Sequence, residues 1–196
     1  MRRSKSSCLL FLLGVFLFFL APSVYASKFQ IAEMEIKSQF ITLSIHSFFL
    51  DELDVVKILG DGIEVDVVYE FWVFRDTGPI LPDEIVTNFS FKYTVKKDII
   101  NQGYEIEWQK EGALKTMWSD NLDHVLYLIM NPKGVKVICI DDLSESESYY
   151  VETQLNATSL KLYPPLSLIY NLFGKWSYST ARIQSGMFNK NGFFIK

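Results

Sequence analysis

The chain has 196 residues, 49% hydrophobic and 15% aromatic, with 19 basic against 23 acidic side chains and a net charge of −4. This length suits one domain with a sizeable core. The acidic balance, with no basic cluster beyond Lys96-Lys97, argues against nucleic acid or an anionic membrane surface as a partner.

Residues 1–26 read as a secretory signal peptide. Arg2, Arg3 and Lys5 form a basic start, and Cys8 opens an uncharged apolar run to Leu20. Val24-Tyr25-Ala26 places small residues where a signal peptidase reads, so cleavage after Ala26 is expected. The run is shorter than the ~20 apolar residues of a membrane-spanning helix. An uncleaved anchor is the alternative, and the only expected membrane contact. Removal of the segment leaves a more acidic chain, residues 27–196, with Cys139 as its one thiol. That excludes an internal disulfide and a cysteine-built zinc site, and the setting VKVICID reads as a buried, inert cysteine.

Alternation predicts strands over 28–38 and 39–47. The period then lengthens. Phe49, Leu53, Val56 and Leu59 sit at helical spacing, Asp51, Glu52 and Asp54 suit a helix N-terminus, and Gly60 reads as the stop. Residues 62–75, GIEVDVVYEFWVFR, are the longest period-2 run and the element around which the chain is organised. Ile63, Val65, Val67, Tyr69, Phe71 and Val73 share one face. The other face starts with Glu64, Asp66 and Glu70 and ends with Trp72 and Phe74. Such a length predicts a bend or bulge. The Gly78-Pro79 to Pro82-Asp83 loop follows, then a second alternating run over 85–97. The two read as one antiparallel hairpin, with lysines of the second strand across from acids of the first.

Strands are further predicted over 103–109, 113–117, 134–140, 149–160 and 175–183. A helix capped by Ser119 carries Leu122, Val125, Leu126 and Ile129 as one stripe, and ends before Pro132. Tyr163-Pro164-Pro165 opens a third, apolar helix that Gly174 closes. The tail from Gln184 has no period, though Phe188, Phe193 and Phe194 could dock it. The expected fold is mainly β: a single antiparallel, β-sandwich-like domain with about three short helices.

Catalytic signatures are missing. There is no GxSxG, no Walker loop, no GxGxxG and no HExxH, and the aspartates lack calcium-loop spacing. His46 and His124 read as local hydrogen bonders. Glu64, Asp66 and Glu70 could support glycoside-type hydrolysis, but any solvated strand face gives that pattern. Asn88-Phe-Ser90 and Asn156-Ala-Thr158 are glycosylation sequons. What exceeds the needs of polar strand faces is the aromatic set Trp72, Phe74, Trp108, Trp118, Tyr149, Tyr150, Tyr163, Trp176 and Tyr178. Its two readings are a core of large residues, or an apolar groove for a lipid, peptide or envelope partner.

The order of short segments resembles an uncharacterised family of exported bacterial proteins, domain of unknown function 4390. The residues concerned are Lys57-Ile58-Leu59, Gly62-Ile63-Glu64-Val65, Phe74-Arg75-Asp76, Phe91-Lys92-Tyr93 and Gly103-Tyr104. Two further segments are Leu160-Lys161-Leu162-Tyr163-Pro164-Pro165-Leu166 and Trp176-Ser177-Tyr178-Ser179. Where the family usually has Leu-Pro before its last helix, this chain has Tyr163-Pro164. The resemblance implies an exported domain with no assigned activity, cofactor or catalytic residue, and a link to envelope sensing.

The functional expectation is an exported, periplasmic or envelope-associated, non-enzymatic binding module without cofactor or metal. Its partner would be an envelope protein or an apolar ligand. The expected surface is Trp72 and Phe74 with Tyr163 and Leu166 beside them, and Trp176 and Tyr178. The alternatives are a carboxylate-based hydrolase and a structural subunit of an envelope assembly.

Overall fold

A computed structural model describes residues 29–47, 52–110, 113–159 and 176–195. The expected signal segment, and the apolar helix carrying Tyr163 and Leu166, lie outside the described residues. The elements are β1 (Gln30–Lys37), β2 (Phe40–His46), α1 (Glu52–Gly60), β3 (Val65–Asp76), β4 (Glu84–Asp98), β5 (Gly103–Lys110) and β6 (Ala113–Ser119). They continue with α2 (Leu122–Met130), β7 (Val135–Cys139), a 3-10 turn (Ile140–Asp142), β8 (Ser148–Ser159), β9 (Ser177–Ser179), β10 (Ile183–Gln184), β11 (Met187–Asn189) and β12 (Gly192–Ile195).

All pairings are antiparallel. A small sheet runs β1-β2-β7. The large sheet runs β12-β11-β8-β3-β4-β5-β6, with β9 and β10 also paired to β8. β3 is the centre of the large sheet, flanked along its whole length by β4 and β8. Its alternation is realised as read: Val65, Val67, Tyr69, Phe71 and Val73 are all fully buried. They meet Ile41, Leu43 and Ile45 of β2 and the apolar stripes of both helices in one core, which gives the sandwich-like arrangement. The bulge expected within residues 62–75 lies instead in the partner strand β4. Val73 pairs with Thr87 and Phe74 with Ile85, so Val86 is skipped.

Local chemistry corrects several boundaries. α1 ends at Gly60 as expected, and Gly62 closes the turn that follows. Gly62 N–H donates to Leu59 O and Ile63 N–H to Ile58 O, with Gly62 at φ 77°, a left-handed closure that a glycine adopts without strain. The cap of α2 is Asn121, whose side-chain oxygen accepts from His124 N–H at 3.1 Å; Ser119 instead bonds Asn121 itself. The last strand predicted over 175–183 is broken into β9 and β10. The tail read as aperiodic forms the β11–β12 hairpin, with Phe188 buried against Tyr149. Strands of two to four residues are too short to show a period in the sequence. Cys139 is half-buried rather than buried, and free.

Candidate binding groove

The outward face of the large sheet carries the polar half of the β3 alternation. Asp66 accepts from Thr94 Oγ1 at 2.6 Å and from Lys92 Nζ at 3.0 Å. Lys92 therefore reaches its acid diagonally, since its direct partner is Val68. Lys96 turns the other way, to Glu105 and Glu107 of β5 at 3.1 Å each. Glu70 accepts from Asn156 Nδ2 at 2.7 Å. Each carboxylate of the hydrolase alternative that bonds here serves a neighbouring strand. Burial first, then the nearby Asp66 charge, holds the Glu64 carboxyl above its usual range.

The predicted aromatic surface is divided. Trp72 and Phe74 lie on the outward face, both half-buried. The Trp72 ring carries the Arg182 guanidinium 3.9 Å from its centroid, and Arg182 also meets Glu152 at 3.4 Å. Phe74 stacks on Tyr150, ring centroids 5.1 Å apart, and the Tyr150 hydroxyl donates to Asp83. Tyr178 pairs with Ala157, whose side chain is in the core, so it belongs to the inward face; Trp176 packs against the same core. These four aromatics do not converge.

A different set converges on the inward face of β4 and β5. Phe89, Phe91 and Tyr93 sit two residues apart on the face shared with Val67, Tyr69 and Phe71. Where the small sheet and α2 cover this face, side chains are fully buried; these three, with Trp108 of β5, are only half-buried. They form an aromatic floor. Phe89 stacks on Phe71 at 4.8 Å, Phe91 meets Tyr93 edge-on at 4.7 Å, and Tyr93 lies 6.3 Å from Trp108. Burial pushes the Tyr93 phenol up to about 12, so it is neutral at physiological pH.

The wall of the groove is the turn from α2 into β7: Pro132, Lys133, Gly134, Val135 and Lys136. That wall is pinned to β2 through Ile45 N–H to Pro132 O at 3.0 Å and Gly134 N–H to Ser44 Oγ at 3.4 Å. The groove is open on one side and has a volume of ≈ 260 Å³. Among the described residues its lining includes two lysines and no carboxylate. Lys133 and Lys136 lie over the rings of Tyr127 and Phe40, at 5.9 and 4.9 Å. Lys115 of β6 stands directly across from Trp108, adding a third cation at the opposite side.

The sequence places Trp108 among the surplus aromatics, and Phe89, Phe91 and Tyr93 on one face of the alternating run over 85–97. Alternation identifies the face correctly; it does not say how far the second layer extends over it. His46 bonds the Asn131 side-chain carbonyl, and the His124 ring lies 3.5 Å from Ser119 Oγ. Among the described residues no cluster of three or more His, Cys, Asp or Glu could hold a metal ion, and no helix is long and apolar enough to cross a membrane.

Two antiparallel sheets with an uncovered aromatic strip between them define a sandwich-like β protein with a surface groove. The chain belongs to the family described as Domain of unknown function (DUF4390), which matches residues 26–185. No curated protein and no solved structure matches it.

Proposed function

We propose that the protein is an exported, non-enzymatic binding module that holds an apolar or aromatic group of its partner in the groove over Phe89, Phe91, Tyr93 and Trp108. One observation carries this reading: four aromatic side chains lie half-buried on a sheet face that is otherwise core, with Phe91, Tyr93 and Trp108 in contact in turn and Phe89 stacked on the buried Phe71. Half-exposed aromatic clusters beside a pinned wall are the usual makings of a recognition site. Export rests on the basic start, the apolar run and Val24-Tyr25-Ala26, and the family match begins only after the apolar run.

Anilinonaphthalene sulfonate, an aromatic anion, tests the site. The expected result is saturable one-to-one binding that Trp108→Ala and Phe91→Ser each weaken without unfolding the protein. Equal binding to both variants and the parent removes the groove from the account. Export has its own test, the N-terminal residue of the protein recovered from its host: Ser27 supports it, and a retained Met1 in the cytoplasm contradicts it.

A second reading, a subunit of a larger assembly, has a separate observation behind it. The β3–β4 loop presents Ile80 (91% exposed) and Leu81 (64%) beside the exposed Ile85 and Val86. The loop is held in shape by Thr77 Oγ1 to Leu81 O and by Asp76 and Asp83 accepting backbone N–H groups. Sedimentation of an Ile80→Ser, Leu81→Ser variant tests it, since an assembly contact there is lost while the groove is untouched.

A further inference from the structure

The β3–β4 loop holds two apolar side chains out in water. Ile80 and Leu81 stand exposed at its tip, between Pro79 and Pro82. A frame of hydrogen bonds fixes them there. Thr77 N–H donates to Asp83 Oδ1 at 3.2 Å, and Gly78 N–H to Asp76 Oδ1 at 2.8 Å. Thr77 Oγ1 lies 3.1 Å from the Leu81 carbonyl and 3.0 Å from that of Pro82. Asp83 is anchored to the sheet by the Tyr150 hydroxyl at 2.6 Å. A tip already fixed in shape enters a pocket with little ordering cost.

The base of the tip is acidic. Asp76, Asp83 and Glu84 stand in the loop and at its two strand ends, and Arg75 ties Glu84 to Glu147. The groove on the same chain is the complement of this tip. Its floor of Phe91, Tyr93 and Trp108 is aromatic, exposed Lys133 stands on its wall, and exposed Lys115 stands across from Trp108. A volume of ≈ 260 Å³ falls below the roughly 300–1,000 Å³ of pockets that engulf a small molecule. It suits side chains whose backbone stays outside. The tip does not reach the groove of its own molecule. Both belong to one hairpin, and from Ile85 to Phe91 the strand β4 advances ~20 Å away from the loop.

We propose that Ile80 and Leu81 of one molecule enter the groove of a second copy of this chain, seating on Phe91, Tyr93 and Trp108 with the acidic base of the loop against Lys133 and Lys115. This joins the groove of the binding-module reading to the loop of the assembly reading and rests on both. The contact is head-to-tail, so each added molecule still offers a free tip or a free groove, and growth continues unless the rotation closes a ring. Two side chains are far fewer than the ~20–30 residues a side of a stable interface. The association is therefore weak and concentration-dependent, and salt loosens it by screening the exposed charges.

The test is sedimentation velocity of the protein recovered from its host, from about 1 μM to 1 mM. The parent is expected to sediment faster as its concentration rises. The tip variant Ile80→Ser, Leu81→Ser and the groove variant Trp108→Ala should each associate at least about tenfold more weakly. Mixed together they should form a dimer and nothing larger, because one supplies the groove and the other the tip. Saturating anilinonaphthalene sulfonate should return the parent to monomers, a readout that needs no variant. A parent that stays monomeric, variants that associate as the parent does, or oligomers that the dye leaves intact each overturn the proposal. So does a parent that binds phosphatidylcholine vesicles through Ile80 and Leu81 without self-association, which assigns the tip to a lipid surface. If the parent is monomeric and the dye still binds in a manner that Trp108→Ala weakens, this inference fails and the binding-module reading stands. If neither association nor dye binding occurs, both fail.

Discussion

The Tyr69 hydroxyl donates to the Ile129 carbonyl at 2.7 Å, tying the middle of β3 to the last turn of α2. The carbonyls of a helix's last turn have no partner within the helix. Here Ile129 O is satisfied by Tyr69, and Met130 O by both the hydroxyl (2.7 Å) and the N–H (3.1 Å) of Ser47. With both hydroxyl protons used on carbonyls, the 3.2 Å contact between Ser47 and Tyr69 adds position rather than a third strong bond. Burial holds the Tyr69 phenol far above its ordinary range, so this donor is never lost near neutrality. Tyr69→Phe keeps the ring packed and strands a carbonyl. The expected loss is about 1–3 kcal/mol, read from denaturant unfolding with an unchanged m-value.

Gly103 begins β5 beneath the Trp118 ring. A Cβ there would lie 2.4 Å from Trp118 Cζ2 and 2.8 Å from the Ser119 backbone oxygen. The ring can swing towards solvent, being 48% exposed, but the carbonyl cannot leave its ladder. Gly103→Ala should destabilise the protein by about 1–3 kcal/mol. Adding Trp118→Ala should restore only part of that loss, which thermal unfolding of the two variants and the pair would show.

Two glutamates carry opposite pH signatures. Burial and the Asp66 charge raise the Glu64 carboxyl, so the folded state takes up a proton more readily than the unfolded chain. Its unfavourable contribution grows as pH rises from the ordinary glutamate value through the raised one. Glu64→Gln should therefore stabilise the protein at neutral pH and change little in acid. Glu147 is held low by the Tyr149 hydroxyl and by Arg75. Its favourable contribution is present above the ordinary value and is lost as pH falls through the depressed one, so Glu147→Gln should weaken the protein at neutral pH. Urea midpoints measured across the acid range would separate the two, both modest because each group is partly exposed to water.

The central strand and its hairpin partner were legible because alternation over a dozen residues leaves little choice of face. Val65, Val67, Tyr69, Phe71 and Val73 were read as one inward row, and they are fully buried. The β10–β12 pieces were not legible, since two to four residues cannot display a period. The helix end at Gly60 was legible, but the left-handed closure at Gly62 was not, because carbonyl pairing fixes it and residue identity alone does not specify it. The candidate site was only half legible. Trp108 stood out as an aromatic on a polar-looking strand. Phe89, Phe91 and Tyr93 share one alternating face, but the sequence does not reveal where the small sheet stops covering it. Trp72 and Tyr178 read as one surface and lie on opposite faces, a separation set by the pairing of β8 with both β3 and β9.

Tyr93 offers a direct report on groove filling. Its phenol is pushed up to about 12 by burial, and a bound apolar group removes still more water. Ultraviolet titration should show one tyrosine ionising later in the presence of a groove ligand, a delay absent from Tyr93→Phe.

The most direct measurement is amide hydrogen exchange with and without anilinonaphthalene sulfonate. The expected result is new protection at Val135 and Lys136 and along β4 around Phe91 and Tyr93, with the outward Trp72–Arg182 contact unchanged. Protection confined to β8 near Tyr150 and Glu152, beside Trp72 and Phe74, would place the binding surface on the opposite face of the sheet and contradict the groove.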